Sequence, residues 1–369
     1  MTRKIGFYCS SMSWGGLEMN FVRYAHWLKE AGFTVYIFCV KDSKIEQKAK
    51  DLGIEQVIVN RNKKNFDFKN VKIVKRHLLE LEIDTVWVRD RRDINIFSQI
   101  KRKREAKHIN LVYQQAMQFA KKKKDFFHTR NYKQINLWIA PLQFLKDEVV
   151  EKTNFPEERI AVIPLASDLN WNKPPISKET ALEKLNLPKD KLIIGVIGRL
   201  DPLKGQLFLV NALAKLKEEF SHLDLLIVGE KTYNEHDDYV EKLYTTIKKE
   251  GLENRVHIRP FMKDIRYFFE SVDRFIMASK AETIGMVTIE SMSYGTPVIG
   301  TNAGGTPELL GFGAYGDLYE PENLQDFIKV LRNNLNANDN VLIKAKKGKQ
   351  IALKKYSKEN VVQEIVNTI

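Results

Sequence analysis

The chain alternates short runs of apolar residues with longer segments in which apolar and polar residues recur at helical spacing. Short apolar runs bounded by turn-forming residues are typical of buried strands. In the first half they predict strands at residues 5–9, 34–40, 56–59, 85–88, 110–113, 137–140 and 160–165. In the second half they predict strands at residues 192–197, 223–228, 256–258, 275–277 and 297–300.

The segments between these strands have helical periodicity, as in residues 19–31. Regular alternation of strands and helices implies parallel sheets with right-handed crossovers. Prolines interrupt the alternation at residues 169–190, which we interpret as a linker. We therefore predict an α/β protein with two doubly wound, Rossmann-like domains, residues 1–168 and 191–356. A cleft between them is expected at the carboxyl ends of the strands.

Length and composition agree with this organisation. A chain of 369 residues is long enough for two domains, and 43% hydrophobic with 29% charged residues is typical of a globular protein. No apolar run approaches the roughly 18 residues of a transmembrane helix, and the N-terminal apolar stretch is too short for a signal peptide. Cys9 and Cys39 fall in predicted strands, so we expect buried thiols in a reducing cytoplasm.

The whole chain has a net charge of +13, and its positive charge is concentrated in the first half. Residues 1–168 hold 32 Lys and Arg against 20 Asp and Glu, whereas the remainder holds 28 against 27. Within residues 101–133 the counts are 11 and 2. A basic surface confined to one domain indicates that this surface binds something.

Residues 278–310 contain the strongest candidate for a binding site. Gly285 makes a tight turn from a predicted strand into a helix, and the free N–H groups at a helix start form an anion site. Glu282 precedes this turn and Glu290 lies within the helix, so two carboxylates flank the anion position. Carboxylates accept hydrogen bonds from hydroxyl groups. The arrangement suits a sugar attached to a phosphate, although two glutamates at this spacing are also common on a solvated helix.

A second segment, residues 192–206, adds positive charge. An apolar strand is followed by a turn with Arg199 and Lys204, and then by a helix that begins at Gly205. Two cations on one loop at the carboxyl end of a strand suit a diphosphate. The alternative is an ordinary capped turn with solvated charges.

Together the two segments resemble the retaining GT-B glycosyltransferases of family 4, which pair a G-R-x-x-x-x-K-G loop with an E-x7-E block. The resemblance implies a glycosyltransferase whose last helix, here residues 357–369, packs back on the N-terminal domain. It also implies that Glu290 binds the ribose of a nucleotide and that Glu282 contacts the donor sugar. Glu282, Arg199 and Lys204 would be the catalytic residues.

The resemblance implies further donor contacts and a mechanism. The acceptor would attack from the front face, and the departing phosphate oxygen would take its proton. We expect a nucleoside-diphosphate sugar as co-substrate, UDP-linked rather than GDP-linked, and no cofactor. No Asp-x-Asp pair occurs in the sequence, so we also expect independence of metal ions. The expected donor-binding residues are Gly15, Gly16, Arg199, Lys204, Arg259, Glu282, Ile284, Gly285, Met286, Val287 and Glu290.

The acceptor side is less well defined. A cluster of arginines follows the predicted strand at residues 85–88 and should reach the cleft, where it would bind an anionic acceptor unless it pairs with neighbouring aspartates. Relatives frequently place a His near the reacting sugar, but residues 112–117 contain none, and His128 is the nearest. The acceptor candidates are Arg89, Arg91, Arg92, Gln115, Lys121, Lys122, Lys123 and Lys124.

The basic first half predicts attraction to an anionic membrane surface. Phe119, Phe126 and Phe127 flank the lysine run, and they either enter the lipid interface or belong to the core. We expect a cytoplasmic protein, peripheral at the inner face of the cell membrane. No motif that reads DNA or RNA accompanies the lysines, so nucleic acid is not an expected partner.

We therefore expect an enzyme that moves a sugar to a glycan or lipid-linked acceptor, as in lipopolysaccharide or capsule synthesis. One alternative is a GT-B nucleotide-sugar epimerase, which needs acid–base residues facing the sugar from both halves. Another is a non-catalytic scaffold that binds sugar nucleotides or lipids. The presence of Arg199, Lys204, Glu282 and Glu290 argues against loss of the donor site.

Overall fold

The computed structural model describes residues 3–62, 67–167, 174–231 and 237–369. The chain divides into two compact units. The N-terminal unit comprises Met1–Leu165 with Lys358–Ile369, and the C-terminal unit comprises Ala166–Ser357. Each unit is built on its own parallel sheet.

The N-terminal unit has a seven-stranded sheet in the order β3-β2-β1-β4-β5-β6-β7. Its strands are β1 (Lys4–Cys9), β2 (Thr34–Val40), β3 (Glu55–Val59), β4 (Thr85–Val88), β5 (Asn110–Gln114), β6 (Leu137–Ala140) and β7 (Ile160–Val162). The intervening helices are α1 (Gly16–Glu30), α2 (Lys44–Asp51), α3 (Phe68–Glu80), α4 (Arg91–Lys101), α5 (Phe126–Tyr132) and α6 (Gln143–Lys152). All predicted strands of this half form, although β7 ends before the predicted residue 165.

The C-terminal unit has a six-stranded sheet in the order β10-β9-β8-β11-β12-β13. Its strands are β8 (Leu192–Ile197), β9 (Leu223–Val228), β10 (Val256–Arg259), β11 (Arg274–Met277), β12 (Val298–Thr301) and β13 (Asp317–Tyr319). Its helices are α7 (Lys178–Lys184), α8 (Gln206–Leu216), α9 (Asp237–Lys249), α10 (Arg266–Ser271), α11 (Met286–Tyr294), α12 (Thr306–Leu309), α13 (Leu324–Asn336) and α14 (Asn338–Lys355). Strand β13 was not predicted, and α7 lies where the sequence suggested only a linker.

The last helix, α15 (Lys358–Thr368), belongs to the N-terminal unit, where it contacts α1. The ammonium of Lys358 lies 2.7 Å from the carboxylate of Glu30 near the end of α1. Val361 and Ile365, one turn apart on α15, are completely buried. The chain therefore returns to the first unit after completing the second.

The cores are apolar, as the strand patterns predict. In the N-terminal unit, Phe7 stacks on Trp87 with ring centroids 5.5 Å apart, and both side chains are completely buried. Cys9 and Cys39 are free thiols and buried, as expected. Burial raises the pKa of both thiols to about 12, so neither is a reactive thiolate at neutral pH.

Candidate functional site

In each sheet the strand order changes direction at a neighbouring pair of strands, β1 and β4 in the N-terminal unit and β8 and β11 in the C-terminal unit. Loops that leave the carboxyl ends of such a pair diverge to opposite faces of the sheet, and ligands of doubly wound folds bind between them. The loops after β8 and β11 contain the residues that the sequence singled out. This pair of loops is therefore the candidate site of the C-terminal unit.

The loop after β8 reaches α8 through Gly205, which has a left-handed φ of +76°. A Cβ on this residue would lie 2.3 Å from the carbonyl oxygen of Ala278 in the loop after β11. Only glycine allows the two loops to approach this closely. Within the loop, Asp201 accepts a hydrogen bond from the N–H of Leu203 at 2.8 Å. The guanidinium of Arg199 is 61% exposed and lies 3.8 Å from Asp201.

The loop after β11 is held in a similar way. The carbonyl oxygen of Glu282 accepts a hydrogen bond from the N–H of Gly305 at 2.8 Å. A Cβ on Gly304, whose φ is +62°, would lie 2.2 Å from the same oxygen. The backbone of Glu282 is thus fixed against the segment that follows β12.

The structure brings Lys204 and Glu282 together, although 78 residues separate them in sequence. The Lys204 ammonium lies 2.7 Å from the Glu282 carboxylate, and both side chains are more than two-thirds buried. The aliphatic part of Lys204 runs beside Gly198. A lysine ammonium has three donors, so Lys204 retains donors for a second anion.

Helix α11 begins beside this ion pair. Gly285, with a φ of +71°, precedes its first turn, and a Cβ there would lie 3.4 Å from the side chain of Glu282. The N–H groups of Met286 and Val287 belong to that first turn and therefore have no acceptor within the helix. Glu290 lies one turn further along and is half-buried. A cation, a carboxylate and the positive end of a helix thus meet at one edge of the sheet.

The side chain of Arg259, a predicted donor-binding residue, is hydrogen-bonded within the C-terminal unit. Its guanidinium donates to the carbonyl oxygens of Leu185 at 2.6 Å, Asn186 at 2.8 Å and Ile258 at 2.9 Å. The first two carbonyls directly follow α7, which the sequence did not predict. The Arg259 side chain therefore anchors the end of α7 to β10.

Gly15 and Gly16 lie in the N-terminal unit, where the chain enters α1 after β1. The N–H of Gly15 donates to the carboxylate of Glu18 at 3.0 Å. Neither glycine has a positive φ, and a Cβ on Gly16 would meet no atom within 4 Å. The fold of this unit does not itself require glycine here.

Two of the predicted acceptor residues are buried. Arg89 is 5% exposed, and its guanidinium donates to the carbonyl oxygen of Leu17 at 3.2 Å. Gln115 is completely buried, and its amide oxygen accepts a hydrogen bond from the Trp138 indole at 3.0 Å. Both side chains support the interior of the N-terminal unit. The structure thus places both of these acceptor candidates in the interior of the unit.

The other two arginines of this cluster contact neighbouring side chains. The guanidinium of Arg92 makes hydrogen bonds of 2.6 and 2.9 Å to the carboxylate of Asp90. Arg91 lies over the ring of Phe119, 4.9 Å from its centroid. Arg92 therefore pairs with a neighbouring aspartate, which was the alternative to binding an anionic acceptor.

The lysine run lies on the surface between β5 and α5. Lys121, Lys122 and Lys124 are exposed and Lys123 is half-buried. Of the flanking aromatic residues, Phe119 is buried in the core, whereas Phe126 and Phe127 are 70% and 68% exposed. Phe119 therefore belongs to the core, whereas Phe126 and Phe127 lie at the surface, where they could enter a lipid interface.

Within the residues that the structure describes, no group of three or more His, Cys, Asp or Glu side chains is arranged to hold a metal ion. Among the helices of these residues, none is long and apolar enough to cross a membrane.

Asp93 is a buried carboxyl group that the sequence did not single out. It lies in the first turn of α4 at 1% exposure, and its Oδ1 accepts hydrogen bonds from Ser10 and Asn62. Burial, assisted by the negative charge of Asp90, raises the pKa of Asp93 to about 7. No periodicity signals this residue, because its burial depends on loops from three different strands.

The raised pKa of Asp93 makes the free energy of unfolding depend on pH. Between about pH 4 and pH 7 the folded protein keeps the Asp93 proton that the unfolded chain releases, so stability falls with rising pH by about 1.4 kcal/mol per pH unit. Asp93→Asn removes this titration. We expect the thermal midpoint of Asp93→Asn, relative to wild type, to be higher at pH 7.5 than at pH 5. The control is Asp51→Asn, at an exposed position. If the thermal midpoint of Asp93→Asn relative to wild type were lower at pH 7.5 than at pH 5, the assignment would be contradicted.

Two protein families match the chain, one in each half. Glycosyltransferase Family 4 matches residues 14–171, and Glycosyl transferases group 1 matches residues 177–354. The chain is 27% identical over 232 residues to the lipopolysaccharide 1,2-N-acetylglucosaminetransferase of Salmonella typhimurium, covering 61% of this chain and 59% of that protein. It is 28% identical over 198 residues to the D-inositol 3-phosphate glycosyltransferase of Streptomyces bingchenggensis, covering 52% and 44%. The chain thus spans about half the length of these curated relatives.

Solved structures share the whole fold. A glycosyltransferase from Rickettsia africae has a TM-score of 0.84 at 22% identity, covering 99% of this chain and 97% of that one. Anabaena HepE in complex with UDP has a TM-score of 0.84 at 22% identity, covering 100% and 99%. The two parallel sheets and their helices therefore define the GT-B fold class. The chain thus has the GT-B fold, and each of its halves contains a domain that matches a glycosyltransferase family model.

Proposed function

We propose that the protein is a retaining glycosyltransferase that moves a sugar from a nucleoside-diphosphate sugar to a glycan or lipid-linked acceptor. The observation that carries this proposal is the meeting of Lys204, Glu282 and the start of α11 at the β8–β11 switch point. The cation and the helix N-terminus suit a diphosphate, and the carboxylate suits the hydroxyl groups of a sugar next to it.

The geometry supports a definite division of roles. The leaving diphosphate gains negative charge as the glycosidic bond breaks, so fixed donors stabilise the transition state more than the bound substrate. One such donor is worth about 3–4 kcal/mol. Lys204, Arg199 and the N–H groups of Met286 and Val287 are the proposed donors. Glu282 holds the sugar, Glu290 holds the ribose, and the departing phosphate oxygen accepts the proton of the attacking hydroxyl group.

A UDP-linked donor is the favoured co-substrate. HepE, which shares the fold, has been solved with UDP and with UDP-glucose. The Arg259 side chain is hydrogen-bonded to the segment after α7, so the backbone near Arg259 is the proposed contact to the base.

The direct test of this function is transfer from a panel of nucleotide sugars, with release of the nucleoside diphosphate as the readout. We expect release to depend on an added glycan or lipid-linked acceptor. The anomeric configuration of the product, measured by NMR, should be that of the donor. An inverted product would contradict the retaining mechanism, and conversion of the sugar without an acceptor would favour the epimerase alternative.

We also propose that this transfer is independent of metal ions, because the sequence has no Asp-x-Asp pair and Lys204 supplies positive charge to the diphosphate. Turnover should therefore persist in excess EDTA at the rate measured without it. A metal-dependent transferase assayed in parallel controls for effective chelation. Loss of activity in EDTA, with recovery on addition of Mn²⁺, would refute this proposal.

The lysine run and the two exposed phenylalanines support a docking surface for an anionic membrane. Lys121, Lys122 and Lys124 point to solvent next to Phe126 and Phe127, whose rings lie 5.7 Å apart. Basic residues near an anionic surface contribute about 1 kcal/mol each, and exposed aromatic rings favour the interface. The Salmonella relative is named for lipopolysaccharide. An acceptor of that kind, at the inner face of the cell membrane, agrees with this surface.

Liposome co-sedimentation tests the docking surface. We expect binding to vesicles with anionic lipid, weakened by salt and reduced when the four lysines at 121–124 are replaced by Gln. The matched control replaces four exposed lysines of the other unit, Lys248, Lys249, Lys346 and Lys347, by Gln. Phe126→Ser with Phe127→Ser should reduce the binding that remains at high salt. Equal binding to neutral and anionic vesicles, or equal losses in both lysine variants, would contradict the assignment.

A further inference from the structure

We propose that Gln206 and Tyr239 are positioning residues, which hold the Arg199 loop in the conformation that binds the donor diphosphate. This inference rests on the proposed function of that loop. Neither residue belongs to the G-R-x-x-x-x-K-G or E-x7-E patterns. Tyr239 is contributed by α9, a helix that supplies none of the proposed donor contacts.

Gln206 joins the loop to α9 by two hydrogen bonds. It is the first residue of α8 and is completely buried. Its amide nitrogen donates to the carbonyl oxygen of Arg199 at 2.7 Å, and its amide oxygen accepts from the Tyr239 hydroxyl at 2.9 Å. Because both polar groups of the amide are used, the side chain has one defined orientation.

The Tyr239 hydroxyl also accepts a hydrogen bond from the N–H of Leu207 at 3.1 Å. Leu207 lies in the first turn of α8, where N–H groups have no acceptor within the helix. Gly205, which precedes the helix, has no side chain to cap it. The Tyr239 hydroxyl on α9 therefore caps the start of α8. Burial raises the pKa of Tyr239, so the hydroxyl stays protonated.

The hydrogen bonds of Gln206 and Tyr239 support Arg199 through its backbone. Its guanidinium is 61% exposed and lies 3.8 Å from the carboxylate of Asp201. The backbone carbonyl of Arg199 is fixed at 2.7 Å by Gln206. On the other side of the loop, the N–H of Lys280 donates to the carbonyl oxygen of Leu203 at 3.1 Å. The Tyr239–Gln206 pair thus holds the Arg199 end of the loop, together with the hydrogen bond from the N–H of Leu200 to the carbonyl oxygen of Glu230 at 3.0 Å.

Tyr239→Phe removes the hydroxyl and keeps the ring, and Gln206→Met removes the amide at similar volume. We expect each to weaken UDP binding and raise the donor KM by about tenfold, which corresponds to a loop carbonyl or N–H left without its partner. The change in kcat should be smaller, because neither side chain touches the reacting atoms. The control is Tyr244→Phe on the same helix, where the side chain is 52% exposed.

Calorimetric titration with UDP, donor kinetics and thermal midpoints separate the outcomes. Weaker UDP binding by both variants, with Tyr244→Phe like wild type, supports the inference. A lowered thermal midpoint with unchanged UDP affinity would overturn it, since the pair would then have a structural role only. Unchanged values throughout would overturn it as well. Failure of the wild-type protein to bind any nucleoside diphosphate would instead refute the proposed function.

Discussion

Lys204→Ala should lower kcat by about 10²-fold or more. The Lys204 ammonium is held beside Glu282 and the start of α11, where charge develops on the leaving diphosphate. Its removal takes away one fixed donor and leaves the partly buried Glu282 carboxylate without its cation. Both effects oppose the binding of an anion. The expected result is therefore a large loss of turnover together with weaker binding of UDP, measured by donor kinetics and calorimetry.

A control for the loss of positive charge is Lys215→Ala, at an exposed position near the other end of α8. This variant should keep wild-type kinetics. If Lys204→Ala had wild-type turnover in a confirmed transfer assay, the assignment of this loop to the diphosphate would be wrong. The thermal midpoints of both variants show whether the fold is retained.

The second large effect separates the two glutamates. Glu290→Ala should weaken binding of UDP by about tenfold or more, because a carboxylate that accepts the ribose hydroxyls is lost. Glu282→Ala should abolish transfer but leave UDP affinity at least as high as in wild type. The reason is that Lys204, released from Glu282, gives its full charge to the phosphates.

Calorimetry with UDP and kinetics with the nucleotide sugar distinguish these two results, with exposed Glu241→Ala on α9 as the control. The reverse pattern, in which Glu282→Ala loses UDP and Glu290→Ala keeps it, would show that the roles are exchanged. Equal effects of both substitutions would mean that the carboxylates act as one unit.

Most of the fold is predictable from the sequence for a physical reason. Strands of a parallel sheet are covered by helices on both faces, so they read as continuous apolar runs bounded by turns. Strand β13 escaped prediction because only three residues, Asp317–Tyr319, form it. Helix α7 escaped because prolines precede it and it is only seven residues long. Its start is fixed by Ser177, whose hydroxyl accepts the N–H of Thr180.

The site was predictable only in part. Glycines and charged residues at the ends of β8 and β11 pointed to two loops that the structure brings together, since these positions follow from the strand pattern. The ion pair of Lys204 with Glu282 required the adjacency of two strands whose loops are far apart in sequence. The same limitation applies to Arg259 and Gln115, whose hydrogen-bond partners lie far away in sequence.

The central claim is that Lys204, Glu282, Glu290 and the start of α11 form a binding site for a nucleoside-diphosphate sugar. Calorimetric titration of the wild-type protein with UDP in EDTA tests it most directly. We expect saturable binding at one site per chain, strongly weakened by Lys204→Ala and unchanged by Lys215→Ala. Absence of binding by UDP and the other common nucleoside diphosphates, or equal binding by both lysine variants, would contradict the claim.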